Sequence, residues 1–121
     1  DEAADRAVQL ILGISPRSLR IRPVGYEAIQ EHVDRAHNLV DLLRWEAKAG
    51  LVITTNHQGP CISVRARGCL PVYLNGLRLR RDFVETVPLE MIYRVVVVTS
   101  TDGSMVYPSG AVLLFTEAWL G

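Results

Sequence analysis

The sequence predicts an α+β fold, in which a small mixed β-sheet packs against two or three helices. Three observations carry this prediction. Residues 26–47 repeat apolar side chains at helical spacing, Asn75-Gly76 stands between two short apolar segments, and Val95–Val98 and Val112–Phe115 are apolar throughout. A helical period, a hairpin turn and covered strands in one short chain are typical of helices packed on a single sheet.

The chain as a whole suits one domain over residues 1–121. Of its 121 residues, 49% are hydrophobic, which is enough for a core. Its 13 basic and 13 acidic residues cancel, so the net charge does not indicate nucleic-acid binding. No apolar run approaches the roughly 20 residues of a membrane-spanning helix. The acidic start, Asp1-Glu2, is unlike a signal peptide, so we expect a mature form or an excised domain.

Residues 1–23 are predicted to lead into the domain. Residues 2–12 predict a helix, which Asp1 can cap and Gly13 can end. The apolar stripe of this helix would consist of Ala7, Leu10 and Ile11. Residues 19–24 alternate apolar and polar side chains with a proline near the end, which predicts a half-buried edge strand.

Residues 26–47 carry the strongest helical pattern and open the predicted core, residues 24–117. The apolar side chains recur at spacings of four, three, four and three, at Ile29, Val33, Ala36, Val40 and Leu43. His37-Asn38 can interrupt this pattern, with Asn38 capping a second helix that begins at Leu39.

The middle of the chain predicts two hairpins. Their strands are expected at Leu51–Thr55, Cys61–Ala66, Leu70–Leu74 and Leu77–Leu79. Residues 56–60 form the first turn by composition. Asn75-Gly76 forms the second, because both positions tolerate a positive φ.

The last third predicts one short helix and two strands. Pro88–Tyr93 is helix-compatible, with proline at the first helical position. Val95–Thr99 is apolar on both faces, which predicts a central, covered strand. Ala111–Thr116 is the expected final strand, and residues 118–121 form a tail.

Cys61 and Cys69 are the two cysteines of the chain. Two thiols eight residues apart supply too few ligands for a zinc site and do not form a CxxC motif. They form a disulfide in an oxidising compartment if the intervening chain turns back. The alternative is two separate buried thiols.

The sequence contains no evident catalytic constellation. His32 and His37 are five residues apart and would point to different helix faces, so we expect surface histidines rather than a metal pair. Ser104, Ser109 and Asp102 share a loop without a nearby histidine that could act as a base. No GxGxxG or P-loop motif is present. We therefore expect a non-enzymatic protein without a cofactor or metal.

An arginine cluster is the most distinctive local feature. Residues 47–81 contain no acidic residue, but they include Lys48, Arg65, Arg67, Arg78, Arg80 and Arg81. Arg78 and Arg80 would share one strand face, and Arg65 and Arg67 would lie on a neighbouring strand, which together predicts a basic stripe. The stripe would contact an anionic ligand, an anionic lipid headgroup or an acidic partner. The alternative is a solvated sheet face that resists aggregation.

Several short motifs follow one another in a distinctive order between Val24 and Thr116. They are Tyr73-Leu74-Asn75-Gly76, Val87–Ile92 and Tyr107–Thr116, with further matches at Asp41–Arg44, Gly50–Ile53 and Ser63–Gly68. Through them, most of the chain resembles the plug domain of TonB-dependent outer-membrane receptors. The chain departs from the family pattern at Tyr107-Pro108, where Tyr-Gly is usual, and at Val96, where an acidic residue is usual.

The resemblance implies a periplasmic role at the outer membrane. In a receptor of this family the plug fills a barrel that takes up siderophores, cobalamin or glycans, and 121 residues leave no room for that barrel. The chain would be either the plug of such a receptor or a stand-alone structural subunit. In the second case it would dock on a larger membrane complex, for example a respiratory or photosynthetic assembly. Trp119, beyond the last strand, would be a partner contact. A small-ligand-binding domain is the third hypothesis.

Overall fold

The computed structural model describes residues 2–46, 50–65 and 68–120 and has the predicted α+β fold. The helices are α1 (Glu2–Leu12), α2 (Tyr26–His32), α3 (Leu39–Glu46) and α4 (Glu117–Leu120). Short 3₁₀ turns lie at Pro16–Ser18, Arg81–Thr86 and Leu89–Met91. Among the described residues, no helix is long and apolar enough to cross a bilayer.

The strands form two separate sheets. They are β1 (Leu51–Asn56), β2 (Gly59–Val64), β3 (Val72–Leu74), β4 (Leu77–Leu79), β5 (Arg94–Val98) and β6 (Ala111–Phe115). β1 and β2 form a two-stranded sheet, and the second sheet has the order β4-β3-β6-β5. In that second sheet β3 and β6 run parallel, while the two outer pairs are antiparallel.

The first helix lies where the sequence places it, but it buries a different stripe. Its buried residues are Ala4, Val8 and Leu12, whereas Leu10 is 86% exposed. Gly13 follows the helix with φ +75° and donates its N–H to the carbonyl of Gln9, as a glycine after a helix end does. Asp1, the predicted cap, lies outside the described residues.

The predicted edge strand at residues 19–24 does not form. The apolar–polar alternation is real, since Leu19, Ile21 and Val24 are buried. Among the described residues, however, the backbone of this segment pairs only through an isolated bridge between Val24 and Val95. The preceding 3₁₀ turn and the proline within the segment, which has no N–H to donate, explain why no ladder develops. The alternation of apolar and polar residues in this segment reflects burial of the apolar side chains and not pairing with a neighbouring strand.

The second helix begins where the sequence indicates, at Leu39, but the break before it is wider than predicted. α2 ends at His32, five residues before the interruption expected at His37-Asn38. The Asn38 side chain accepts a hydrogen bond from the N–H of Asp41 at 3.2 Å, so Asn38 caps α3 as predicted. The break lets both halves of the pattern face the same core, because Ile29, Ala36 and Leu43 are all buried in one cluster.

Both predicted hairpins are present. β1 pairs antiparallel with β2, from Leu51 opposite Val64 to Asn56 opposite Gly59. The strand predicted at Cys61–Ala66 begins two residues earlier, at Gly59, and ends at Val64. Ala66, the last residue of the predicted range, lies outside the described residues. Asn75 and Gly76 have φ angles of 49° and 84°, so both turn residues have the positive φ that this hairpin turn requires.

The apolar strands β5 and β6 are covered on both faces. Val95, Val97, Val112 and Leu114 belong to one core cluster, and Val96, Val98, Leu113 and Phe115 belong to the other. The prediction of a covered strand at Val95–Thr99 is therefore confirmed, but the central position is wrong, since β6 is central and β5 ends the ladder. The run of valines at Val95–Val98 is explained by the burial of both faces of β5 and not by a central position in the sheet.

The segment between β4 and β5 is less helical than predicted. Pro88 lies just before a 3₁₀ turn at Leu89–Met91 instead of at the first position of a helix over Pro88–Tyr93. The preceding turn at Arg81–Thr86 was not predicted, and it packs closely against β2. These turns connect the hairpins to β5.

Candidate functional site

A disulfide between Cys61 and Cys69 ties the first hairpin to the segment that enters β3. The Sγ atoms are 2.09 Å apart and the Cα atoms 4.9 Å apart. The backbone N–H of Leu70 donates to the carbonyl of Ile62 at 2.7 Å, which is the return of the chain that the bond needs. Of the two alternatives open from the sequence, the structure contains the disulfide and not two separate thiols.

The expected basic stripe is not formed. Arg65 follows β2, whereas Arg78 lies on β4, and these strands belong to different sheets. Arg80 is outside β4 and immediately precedes a 3₁₀ turn, so strand alternation does not align it with Arg78. Arg67 lies outside the described residues. The stripe prediction was wrong because it assumed that the two hairpins share one sheet.

Three members of the arginine set have local structural partners instead. Arg81 donates to the carbonyls of Pro60 and Gly59 and to the side chain of Gln58, each at 3.2 Å, and so holds the first hairpin turn. Arg80 pairs with Asp82 at 2.9 Å. The guanidinium of Arg78 lies 5.9 Å from the centre of the Tyr73 ring.

Arg65 is the described member of the set that faces a cavity. Its φ of 55° is unusual for a residue with a side chain. The cavity has a volume of about 460 Å³. Its lining includes Arg20, Arg65, Cys69 and Leu70 with the hydroxyl-bearing residues Thr99, Ser100, Thr101 and Ser109. Cationic groups, hydroxyls and apolar walls together suit a small ligand with an acidic end.

Two side chains of the neighbouring loop, Asp102 and Ser104, form hydrogen bonds with backbone groups. Asp102 accepts the backbone N–H groups of Arg20 at 3.0 Å and Thr99 at 2.7 Å. Ser104 is buried, donates to the carbonyl of Leu12 at 3.1 Å and accepts from the N–H of Tyr107. None of these contacts joins a serine to a histidine, so this described loop contains no nucleophile–base pair.

Tyr107 packs its ring 5.3 Å from that of Tyr73, on the second core cluster. Burial raises the pKa of the Tyr107 phenol above 10.0, and the nearby Tyr73 adds to this shift. The two rings pack against the second core cluster, and the raised pKa disfavours the ionised form of Tyr107.

His32 has an environment that the sequence did not predict. Its side chain is only 16% exposed, and its Nε2 lies 2.5 Å from an oxygen of Glu46, so the expectation of a surface histidine was wrong here. The candidate ligand atoms of Glu31, His32 and Glu46 lie within 4.8 Å of one another. These described residues are the best placed to hold a divalent ion. His32 and Glu46 are 14 residues apart on different helices, and only the packing of α2 against α3 brings them together.

Trp119 lies on α4 and helps form an exposed apolar surface. Its ring stacks on Phe115 with centroids 5.4 Å apart, yet the residue is 45% exposed. A Cβ on Gly76 would lie 3.9 Å from this ring, and Leu77, the next residue, is 75% exposed. We call Trp119, Gly76 and Leu77 the Trp119 patch. It lies beside β4, at the end of the larger sheet.

Comparison with known proteins provides no family assignment. No protein-family model matches the chain, and a search of curated proteins finds no significant relative. The function is therefore inferred from the chain itself.

Proposed function

We propose that this chain is a non-enzymatic, plug-like module of the periplasm that works by contacting a membrane protein. The observation that carries the proposal is the succession of elements in the C-terminal half. The described order is β3, the Asn75-Gly76 turn, β4, two 3₁₀ turns, β5, a loop and β6. The resemblance to the plug domain likewise implies a strand and Asn-Gly turn, a short helical segment and two apolar strands separated by a loop.

The disulfide supports the proposed location in the periplasm. Disulfides persist in the periplasm and outside cells and are rare in the reducing cytosol. The bond between Cys61 and Cys69 closes a short loop between the first hairpin and β3. An oxidising location such as the periplasm is consistent with that bond.

The Trp119 patch is the surface we assign to the partner. It combines a half-exposed tryptophan with a largely exposed leucine beside an edge strand. Tryptophan is enriched at interfaces because it buries a large area at little entropic cost. The partner is either a β-barrel belonging to the same polypeptide or a subunit of a larger membrane complex, such as a respiratory or photosynthetic assembly.

Site-specific photo-crosslinking tests this proposal. A photoreactive phenylalanine analogue replaces Trp119 in the parent protein, expressed in its native host. The matched control carries the analogue at Leu10, which is 86% exposed on α1. We expect position 119, but not position 10, to give a specific crosslink to a barrel in the same polypeptide or to a subunit of a membrane protein complex.

The identity of the crosslinked partner distinguishes the two versions of this proposal, the receptor plug and the accessory subunit. An internal crosslink supports the receptor plug, and a crosslink to a second polypeptide supports the accessory subunit. Equal labelling from both positions, or crosslinks to cytosolic proteins only, would overturn the proposal. Thiols of Cys61 and Cys69 that are trapped in the reduced state in intact cells would remove the periplasmic assignment.

The cavity beside Arg65 favours a second candidate function, the binding of a small acidic ligand. Its test is a thermal-shift screen of small carboxylates against the native protein and the variant Arg65→Gln. The control is Arg78→Gln, whose arginine contacts a tyrosine ring and not the cavity. Stabilisation that Arg65→Gln abolishes and Arg78→Gln retains would support this candidate; stabilisation by no carboxylate would exclude it.

A further inference from the structure

A second cavity has a strongly basic lining. It is a cleft of about 650 Å³ between α1, the segment that follows it and the start of β5. Its charged lining residues are Asp5, Arg17, Arg20, Arg22 and Arg94. The lining thus has four arginines and one carboxylate. None of these arginines belongs to the cluster that the sequence singled out.

The carboxylate is already engaged at the base of the cleft. Asp5 forms an ion pair with Nη1 of Arg94, whose side chain is only 8% exposed. The Nε of Arg94 is buried and has no hydrogen-bond partner among the described residues. A buried cation with incomplete hydrogen bonding is costly unless a further anion compensates it.

The other three arginines keep their charge available. No described carboxylate lies within 4.0 Å of the guanidinium nitrogens of Arg17, Arg20 or Arg22. The nearby carboxylate of Asp102 is occupied by backbone N–H groups, including that of Arg20. The cleft therefore has an excess of positive charge along its rim.

The backbone that presents these arginines is held at several points. The Ser15 side chain accepts the N–H of Arg17 at 3.3 Å and caps the 3₁₀ turn. Arg20 is fixed through its own N–H, and Val24 bridges to Val95. Leu19 and Ile21 are buried, whereas Arg20 and Arg22, which alternate with them, are exposed on this anchored segment. This arrangement pre-organises a binding site, because little backbone order is lost when a ligand binds.

We propose that this cleft binds a phosphate group with two or more negative charges, either in a free phosphate compound or in a lipid headgroup. A guanidinium presents its donors as a planar fork that matches two oxygens of an oxyanion. Three unpaired forks on one rim need more acceptor oxygens than a single planar carboxylate offers. A phosphate ester or diphosphate supplies them around a tetrahedral centre. This proposal does not depend on the proposed function.

The test compares pyrophosphate with membranes, using the 121-residue chain. Calorimetry measures binding of pyrophosphate, and co-sedimentation measures binding to phosphatidylcholine vesicles with and without phosphatidic acid. The key variant is Arg17→Gln/Arg22→Gln, since these two arginines line this cleft and not the cavity beside Arg65. The charge-matched control is Arg35→Gln/Arg44→Gln, which removes two exposed arginines from elsewhere on the surface. Circular dichroism verifies that both variants fold.

We expect saturable binding that weakens about a hundredfold in the cleft variant and less than about threefold in the control, since each lost charge-assisted hydrogen bond costs roughly a factor of ten. Saturable binding of pyrophosphate supports a free ligand, and binding only to vesicles with phosphatidic acid supports a lipid headgroup. Equal weakening in both variants, or no saturable binding of either probe to the native chain, overturns the proposal.

Discussion

Breaking the disulfide between Cys61 and Cys69 should lower the free energy of unfolding by about 2.5 kcal/mol. The bond joins residues eight positions apart. A closed loop of that length restricts the unfolded chain by about 2.5 kcal/mol in the loop-entropy account. The lost side-chain packing adds little, because Cys69 is exposed and Cys61 is only partly buried.

Urea unfolding followed by tryptophan fluorescence measures this change, with and without a thiol reductant. For a slope of about 1–3 kcal/mol per molar urea, a loss of about 2.5 kcal/mol lowers the unfolding midpoint of the native chain by about 0.8–2.5 M on reduction. The double variant Cys61→Ala/Cys69→Ala is the matched control. It should unfold near the midpoint of the reduced native chain and should not respond to reductant.

Two results would refute this reasoning. If the double variant shifts with reductant as much as the native chain, the reductant acts elsewhere. If the native midpoint stays unchanged after mass spectrometry verifies reduction, the loop contributes nothing to stability.

Three further changes test other contacts. Gly59 has a φ of +107°, and a Cβ added there would lie 2.4 Å from the carbonyl oxygen of Arg81. Gly59→Ala should therefore lower the free energy of unfolding by at least about 2 kcal/mol more than Gly103→Ala does. Gly103 has φ +82° but no described atom within 4 Å, so equal losses in urea unfolding would remove the steric explanation. Arg81→Lys should lower the free energy of unfolding by about 1–2 kcal/mol, because it loses the guanidinium hydrogen bonds that hold the first hairpin turn. Arg78→Lys should lower it by less than about 0.5 kcal/mol. Similar urea midpoints for the two variants would contradict this expectation. Burial raises the pKa of Tyr107 above 10.0. The stability that this protonated phenol contributes to the folded state is therefore fully present below pH 10 and is lost as the pH rises through the folded-state pKa. Tyr107→Phe should lessen this alkaline loss of stability, and an unaltered alkaline profile would count against the assignment.

The sequence predicted the local elements well where one physical signal dominates. Helix α1, the break capped by Asn38 and the turn at Asn75-Gly76 each depend on neighbouring residues, and each is present. Residues 19–24 show the limit of such patterns. Alternating burial arises whenever an extended segment lies on a core, whether or not a neighbouring strand supplies hydrogen bonds.

The candidate sites depended far more on tertiary contacts. The arginine stripe failed because sequence alternation does not specify which hairpins share a sheet. The basic cleft brings Arg94 on β5 to Arg17 and Arg22, more than 70 residues away in the sequence. The pair between His32 and Glu46 likewise needs two helices to pack. No local pattern encodes these distances.

The sequence by itself determined the α+β class, the two hairpin turns and the apolar strands, because turn geometry, capping and burial act over a few residues. Only the tertiary structure decided that Cys61 and Cys69 are joined, that β6 and not β5 is central, and that the arginines divide between structural contacts and two cavities. Those outcomes depend on which distant surfaces meet. That choice is made by packing of the whole core, in which each face of β5 and β6 requires its own cover.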